Sequence, residues 1–495
     1  MKKIIKITSI LGAVALGTGV ATSLVSCESD VTSLNDDPKR PVVVPSGNLV
    51  ASAEQTLMSQ IMTASVNRNI YRFFTQQWSQ TTYVDESNYD MVTRPISRTH
   101  YNYMMSSSAQ NSSSPGVLSA LRDAKKFLAT ENVSDVERKN KEAVIELLSV
   151  YAWANLVDTF GDVPYFDALQ LTPDNKEAKY ISPKYDDAET IYKDLFARID
   201  AAVANINTSE GSYSTDIIYG GNMSKWKKMG NSLKFKLALN IADQNPVLSK
   251  QMAEAAYSAG LFSSMEDNFG LAKFPTGLFP NPVYLDVVAS GRDDYLPSDI
   301  LVNTMNATKD PRRAVWFTTV GGEYKGGVYG NSNSFGSFSH FTSVISGAEA
   351  SGYLLDFTEI SFLRAEAAAR GYSVGGTKED LFASAIKASM TEYGVSAADI
   401  TTYLANNTLG SNWRKSIGEQ AWVAMFNRGY QAWNFTRRLD YPKFENPENS
   451  TVEAVPIRMK YSDQEYVLNN ANVSAAASKL KGGDKVSSRI FWDIY

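Results

Sequence analysis

The chain has 495 residues, 43% of them hydrophobic, 11% aromatic and 20% charged, with a formal net charge of −5. That composition excludes a disordered chain, and the acidic balance argues against a nucleic-acid binder, which carries a basic face. A single cysteine excludes an internal disulfide framework or a Cys-rich metal site, and two histidines leave little for a His-based metal centre.

Residues 1–26 read as an export signal. Lys2, Lys3 and Lys6 precede a stretch from Ile7 to Ser26 that carries no charge. About 20 apolar residues would also span a bilayer. This stretch, however, is diluted by Gly, Thr and Ser and ends in Leu24-Val25-Ser26-Cys27. That ending resembles the lipobox of bacterial lipoproteins, in which the cysteine thiol is lipidated and cleavage leaves the cysteine first. The only cysteine stands at this junction, so Cys27 is read as a lipid attachment point rather than a buried thiol. Several acyl chains at about 0.8 kcal/mol per buried CH₂ make such an anchor stable. Glu28-Ser29-Asp30 resembles the acidic surface-export signal of Bacteroidetes lipoproteins. Residues 27–47 then form a proline-stiffened tether, with Pro38, Pro41 and Pro45 and no helical period.

Helical patterning begins after Ser46. Ser134 and Glu137 form a capping box ahead of a long helix reaching about Thr159, in which Val144, Leu147, Leu148, Tyr151, Ala154 and Val157 recur at three- and four-residue steps. Further helices are expected near 187–206, 224–242, 248–258, 355–370, 378–393 and 415–437, with Thr377 and Asp380 as a second capping box. The expected fold for 48–495 is a single, mainly α domain. Its helix hairpins form a tetratricopeptide-like scaffold with little β structure, although no 34-residue period is visible. Residues 71–115, 260–350 and 440–495 break the pattern. Their aromatic content argues for an ordered, loop-rich lobe.

Catalytic signals are weak. Gly371-Tyr372-Ser373-Val374-Gly375 satisfies a nucleophile-elbow pattern, but a helix precedes it and both histidines come earlier in the chain, so Ser373 is read as following a helix end. The glycines at 321, 322, 326, 327 and 330 lack the lysine and following helix of a phosphate loop. His100 and His340 are read as loop hydrogen-bonders. Asp293-Asp294 beside Arg292 and Tyr295 suits a glycosidase, a binding loop or a simple turn; a glycosidase needs two carboxylates about 5–9 Å apart, and sequence neighbours point different ways. No catalytic residue, metal or cofactor is assigned. Calcium stays open, because oxygen ligands from loop acids leave no spacing outside the EF-hand pattern.

Aromatics divide by location. Tyr151, Trp153, Phe160, Trp226, Trp422 and Trp433 fall in helical segments and are assigned to packing. Trp78, Tyr83, Tyr89, Trp316, Tyr324 and Tyr329 fall in loop-rich segments, where an aromatic face stacks on the C–H face of a sugar or on peptide side chains. With Arg292, Asp294 and Tyr295 they are the candidate ligand contacts, on loops 71–105 and 275–345.

Taken in order, these pieces resemble the SusD/RagB-type outer-membrane nutrient-binding lipoproteins of Bacteroidetes, in the SusD-like branch. The resemblance covers nearly all of 27–495. It rests on the lipobox at Cys27, Leu34-Asn35-Asp36-Asp37-Pro38 in the tether, and YAWANLVDTFGDVPYFDAL at 151–169. It rests also on LRAEAAARG at 363–371, IGEQAWVAMFNRGYQAWNFTRRLDYP at 417–442, PIRMKYSDQEYVLNNANV at 456–473 and Phe491-Trp492-Asp493. One departure is Asp440 and Tyr441 after Arg437-Arg438, where the branch often has a Thr-Gly-Tyr-Pro run. The resemblance implies a non-enzymatic surface lipoprotein of the outer membrane. Such a protein captures a nutrient, most often an oligosaccharide and sometimes a peptide, and delivers it as the lid of a SusC-like TonB-dependent transporter. A surface glycosidase and a structural or adhesive lipoprotein are the rival readings.

Overall fold

Apolar residues repeating at helical spacing can leave water only when helices lie side by side, and the computed structural model shows them doing so. It describes residues 44–106, 115–171 and 175–495; Cys27 and most of the tether lie outside these. The longer helices are, in chain order, α1 (Ser46–Met62), α2 (Ile96–Met105), α3 (Val117–Leu128), α4 (Asp135–Phe160), α5 (Ala188–Asn205), α6 (Met223–Asn240) and α7 (Pro246–Ala259). They continue as α8 (Asp299–Ala307), α9 (Phe357–Ala369), α10 (Lys378–Glu392), α11 (Ala397–Asn406), α12 (Trp413–Ala424), α13 (Gly429–Leu439) and α14 (Asn470–Lys479). The strands are short: β1 (Trp78–Gln80), β2 (Val163–Pro164), β3 (Tyr185–Asp186), β4 (Phe269–Leu271), β5 (Tyr295–Pro297) and β6 (Gly352–Leu355). They pair antiparallel as β1–β5, β2–β3 and β4–β6. The architecture is mainly α, with neighbours stacking in a row: α3 on α4, α4 on α5, α5 on α6, α6 on α7 and α9, and α9 on α10 and α12.

α4 is the axis of this scaffold. Ser134 accepts the Glu137 N–H at its start, and Asp135 and Glu137 place negative charge at the positive end of the helix dipole. From Ala143 almost every residue is buried except Glu146. The helix is long and apolar enough to cross a bilayer, yet it is enclosed by its own fold. It stops at Gly161, whose φ of 88° is left-handed. Thr377 likewise caps the Asp380 N–H to begin α10.

Asp158, inside the YAWANLVDTFGDVPY run, holds distant elements together. It is fully buried. Its Oδ1 accepts the Tyr192 hydroxyl of α5 and the Trp492 indole N–H at 2.9 Å. Its Oδ2 accepts the Tyr430 hydroxyl at 2.9 Å and the Asn240 amide at 3.2 Å. Its backbone oxygen accepts Arg437 at 2.7 Å, and that guanidinium lies 3.5 Å from the Trp433 ring centroid and 4.7 Å from that of Trp492. Arg438 pairs instead with Glu366, and Arg428 with Asp356 and Glu392. Asp158 therefore joins the segments 151–169, 417–442 and 491–493 in one buried polar network.

Three expectations are corrected. The helix expected over 415–437 is two, α12 and α13, broken at Met425–Arg428 where Asn427 has φ 66°. The break lets Gly429 pass so close to Tyr71 and Arg72 that a Cβ there would lie 2.6 Å from the Arg72 nitrogen. The irregular segments contain β1, α2, β5 and α8. His100 lies in α2, not a loop, and is buried. Its Nδ1 receives the Gln60 amide at 2.9 Å and its Nε2 donates to Asn155 at 2.8 Å; burial lowers its pKa to about 4, so the ring is neutral. At the departure from the family pattern, Asp440 takes the left-handed conformation, φ 60°, that glycine supplies elsewhere.

Candidate functional site

The pairing of β1 with β5 sets Gln80 opposite Tyr295, so the chain leaving β1 and the chain approaching β5 meet at one edge. Hydrogen bonds continue past the strands: Thr81 N–H donates to the Asp294 oxygen at 3.0 Å, and its hydroxyl to the Asp293 oxygen at 2.6 Å. A third segment joins them. Asn333 donates its N–H to Thr81 at 2.9 Å and its side-chain amide to Gln80 at 2.8 Å. Gly327 donates to Pro297 at 2.9 Å and accepts from Asp299 at 2.8 Å. Segments near residues 81–83, 292–294 and 327–333 thus form one rim, braced by backbone bonds.

On this rim Tyr83 is 55% exposed. The Arg292 guanidinium lies 5.5 Å from its ring centroid and bonds the Asp294 carboxylate, with Nη2 to Oδ1 at 3.3 Å. Hydrogen bonding and the charge of Asp294 hold Arg292 firmly protonated. Asn331, Ser332 and Ser334 are exposed beside them. The rim therefore offers an apolar ring face, a cation, a carboxylate and amide and hydroxyl groups. That set suits a polyhydroxylated ligand, which has an apolar C–H face and many hydrogen-bonding edges.

Five candidates are corrected from ligand contacts to core. Trp78, Tyr89, Tyr295, Trp316 and Tyr329 are all buried. Trp78 packs under the rim against Phe341 and Tyr295, at 4.4 and 5.6 Å between ring centroids, with Arg72 5.0 Å away. Tyr89 takes the Gln76 amide at 2.8 Å, and Tyr329 donates to the Phe73 oxygen at 2.7 Å. Trp316 stacks on Phe426 at 4.9 Å. These loops are large enough to need a small core of their own, and most of the loop aromatics build it. Tyr324 is half-buried, with Arg313 5.3 Å from its ring. The structure thus brings together Tyr83, Arg292 and Asp294, with Tyr295 below them. Asn331 and Asn333 were missed; their only signal was the turn-rich run Gly330-Asn331-Ser332-Asn333-Ser334.

Glu86, the buried carboxylate near the rim, is engaged by Gln80 at 2.9 Å and by Arg94. Burial raises its pKa, against the pull of those two partners. Among the described residues no group of three or more His, Cys, Asp or Glu is arranged to hold a metal ion. Ser373 follows α9, and its N–H is bound by Glu254 at 2.7 Å.

The fold is shared with solved structures. A chitin-binding protein superposes with a TM-score of 0.78 at 24% identity, over 91% of this chain and 100% of its own. A SusD homologue from Bacteroides uniformis gives 0.74 at 24% identity, over 90% and 99% of the two chains. A chitin-binding SusD homologue from Flavobacterium johnsoniae gives 0.68 at 24% identity, also over 90% and 99%. At this identity the likeness establishes the fold. Among curated proteins none matches the sequence significantly. The family model described as "Starch-binding associating with outer membrane" matches residues 38–462, and the chain accordingly belongs to that SusD-like family.

Proposed function

We propose that the protein captures an oligosaccharide outside the cell and delivers it, as a lid, to a SusC-like TonB-dependent transporter in the outer membrane. The observation that carries this reading is the exposed Tyr83 with Arg292 and Asp294 on a rim held by backbone bonds. Contacts on rigid supports bind without first ordering a loop. The family description supports a carbohydrate at an outer membrane, and two structurally similar proteins are described as chitin-binding. Starch-type and chitin-type oligosaccharides are therefore the first ligands to test. The protein acts as a binder rather than an enzyme: Asp294 is tied to Arg292, and Glu86 to Gln80 and Arg94. Residues 1–26 act as the signal peptide, Cys27 as the lipid anchor and residues 27–47 as a tether that keeps the lid near its partner while it swings.

Calorimetric titration of malto- and chito-oligosaccharides tests the reading. Tyr83→Ala should weaken binding about tenfold, equal to about 1.4 kcal/mol. Unchanged affinity in that variant, or release of shortened glycans, would count against it. A pull-down from detergent-solubilised outer membranes should recover a TonB-dependent barrel.

A further inference from the structure

A groove of about 300 Å³ lies between the C-terminal end of α1, α2 and the turn that follows Pro282. Thr63 and Thr99, both nearly buried, are among its lining residues. Tyr103 faces the Arg68 guanidinium at 4.6 Å from its ring centroid. Arg68 makes no side-chain hydrogen bond or ion pair to another described residue, and it lines the groove with its guanidinium over the Tyr103 ring. Leu285, 47% exposed, supplies an apolar wall. The Asp286 carboxylate is held in place by the Thr63 hydroxyl at 2.6 Å and the Ala64 N–H at 2.9 Å. The groove therefore repeats the chemistry of the rim: an aromatic ring with a guanidinium beside it, a fixed carboxylate and hydroxyl groups.

Groove and rim belong to one continuous strip of surface chain. The π-helical turn Leu285–Ala289 borders the groove and runs directly into Ser290–Asp294, which carries Arg292 on the rim. Burial, then the charges of Asp286 and Asp294, push the Tyr295 hydroxyl pKa upward. Turns of this wider helical type recur at functional sites.

We infer that this groove is a second sugar subsite and that the ligand is an oligosaccharide long enough to occupy groove and rim together. The inference rests on the carbohydrate reading of the rim. A pocket of about 300 Å³ is at the small end of those that hold ligands, which suits one or two sugar units with the remainder of the chain reaching outward. Two weak contacts on one ligand give affinity that grows with ligand length.

The test is calorimetry on the detergent-solubilised full chain with malto- and chito-oligosaccharides from disaccharide to hexasaccharide. Affinity should rise with length in one series. Arg68→Ala combined with Tyr103→Ala should weaken hexasaccharide binding at least tenfold. Asn67→Trp, on the exposed lip of the groove, should do the same by obstruction while removing no packing contact. If both groove variants bind hexasaccharide within twofold of the parent while Tyr83→Ala weakens it, the second subsite is refuted and the rim stands. If the parent binds no member of either series, the carbohydrate reading fails and the inference falls with it.

Discussion

Asp158→Asn is the sharpest test of how the scaffold is held. The substitution keeps the shape of the side chain and removes its charge. Asparagine retains one acceptor oxygen and turns the other into an NH₂ donor. The retained oxygen belongs on the side of Trp492 and Tyr192, because an indole N–H can only donate. The new NH₂ then faces Tyr430 and Asn240. The Tyr430 hydroxyl can rotate to accept, whereas the Asn240 N–H on that side loses its carboxylate. Hydrogen bonds to a charged group contribute about 1.5–3 kcal/mol each. One is lost, and the others fall to neutral strength. Arg437 is affected too: burial lowers its pKa, and the Asp158 charge is the foremost influence opposing that. The loss should be about 3–4 kcal/mol, a large share of the stability of an ordinary domain. Guanidinium titration followed by tryptophan fluorescence reads it directly, since Trp433 and Trp492 both border the network. A loss below about 1 kcal/mol would refute the claim that this carboxylate organises the motif.

Burial pushes the Asp493 carboxyl up to about 6, with Arg437 and Arg489 pulling the other way. A carboxyl raised on folding stabilises fully below its unfolded pKa, and that contribution is lost as pH rises through about 6. Asp493→Asn should therefore flatten the fall in stability between pH 4 and pH 7 by roughly 3 kcal/mol, read by urea denaturation at stepped pH; an unaltered profile contradicts the assignment. Gly429→Ala forces a Cβ to within 2.6 Å of the Arg72 nitrogen and 2.9 Å of the Tyr71 carbonyl carbon. It should cost about 1–3 kcal/mol, and an unmoved denaturation midpoint would show that the approach is looser. Cys27→Ala should abolish labelling by a fatty-acid analogue, and continued labelling would remove Cys27 as the anchor.

What the sequence alone determined was whatever depends on neighbours in the chain. The cap at Ser134 and the periodicity from Val144 to Val157 placed α4, because side chains three and four residues apart share a helix face. The linear order of motifs also placed the chain in its family. The break at Asn427 escaped because it answers to Tyr71 and Arg72, more than 350 residues away. The role of Asp158 escaped for the same reason, its partners lying on α5, α6, α13 and near Trp492. Loop aromatics were the largest gap. Trp78, Tyr89, Trp316 and Tyr329 fall, like Tyr83, in segments without a sustained helical period. Which of them meets water is decided by what packs against it, and that is a property of the assembled chain. Only the tertiary structure could show Tyr83 facing outward beside Arg292, with the other four supporting the surface beneath.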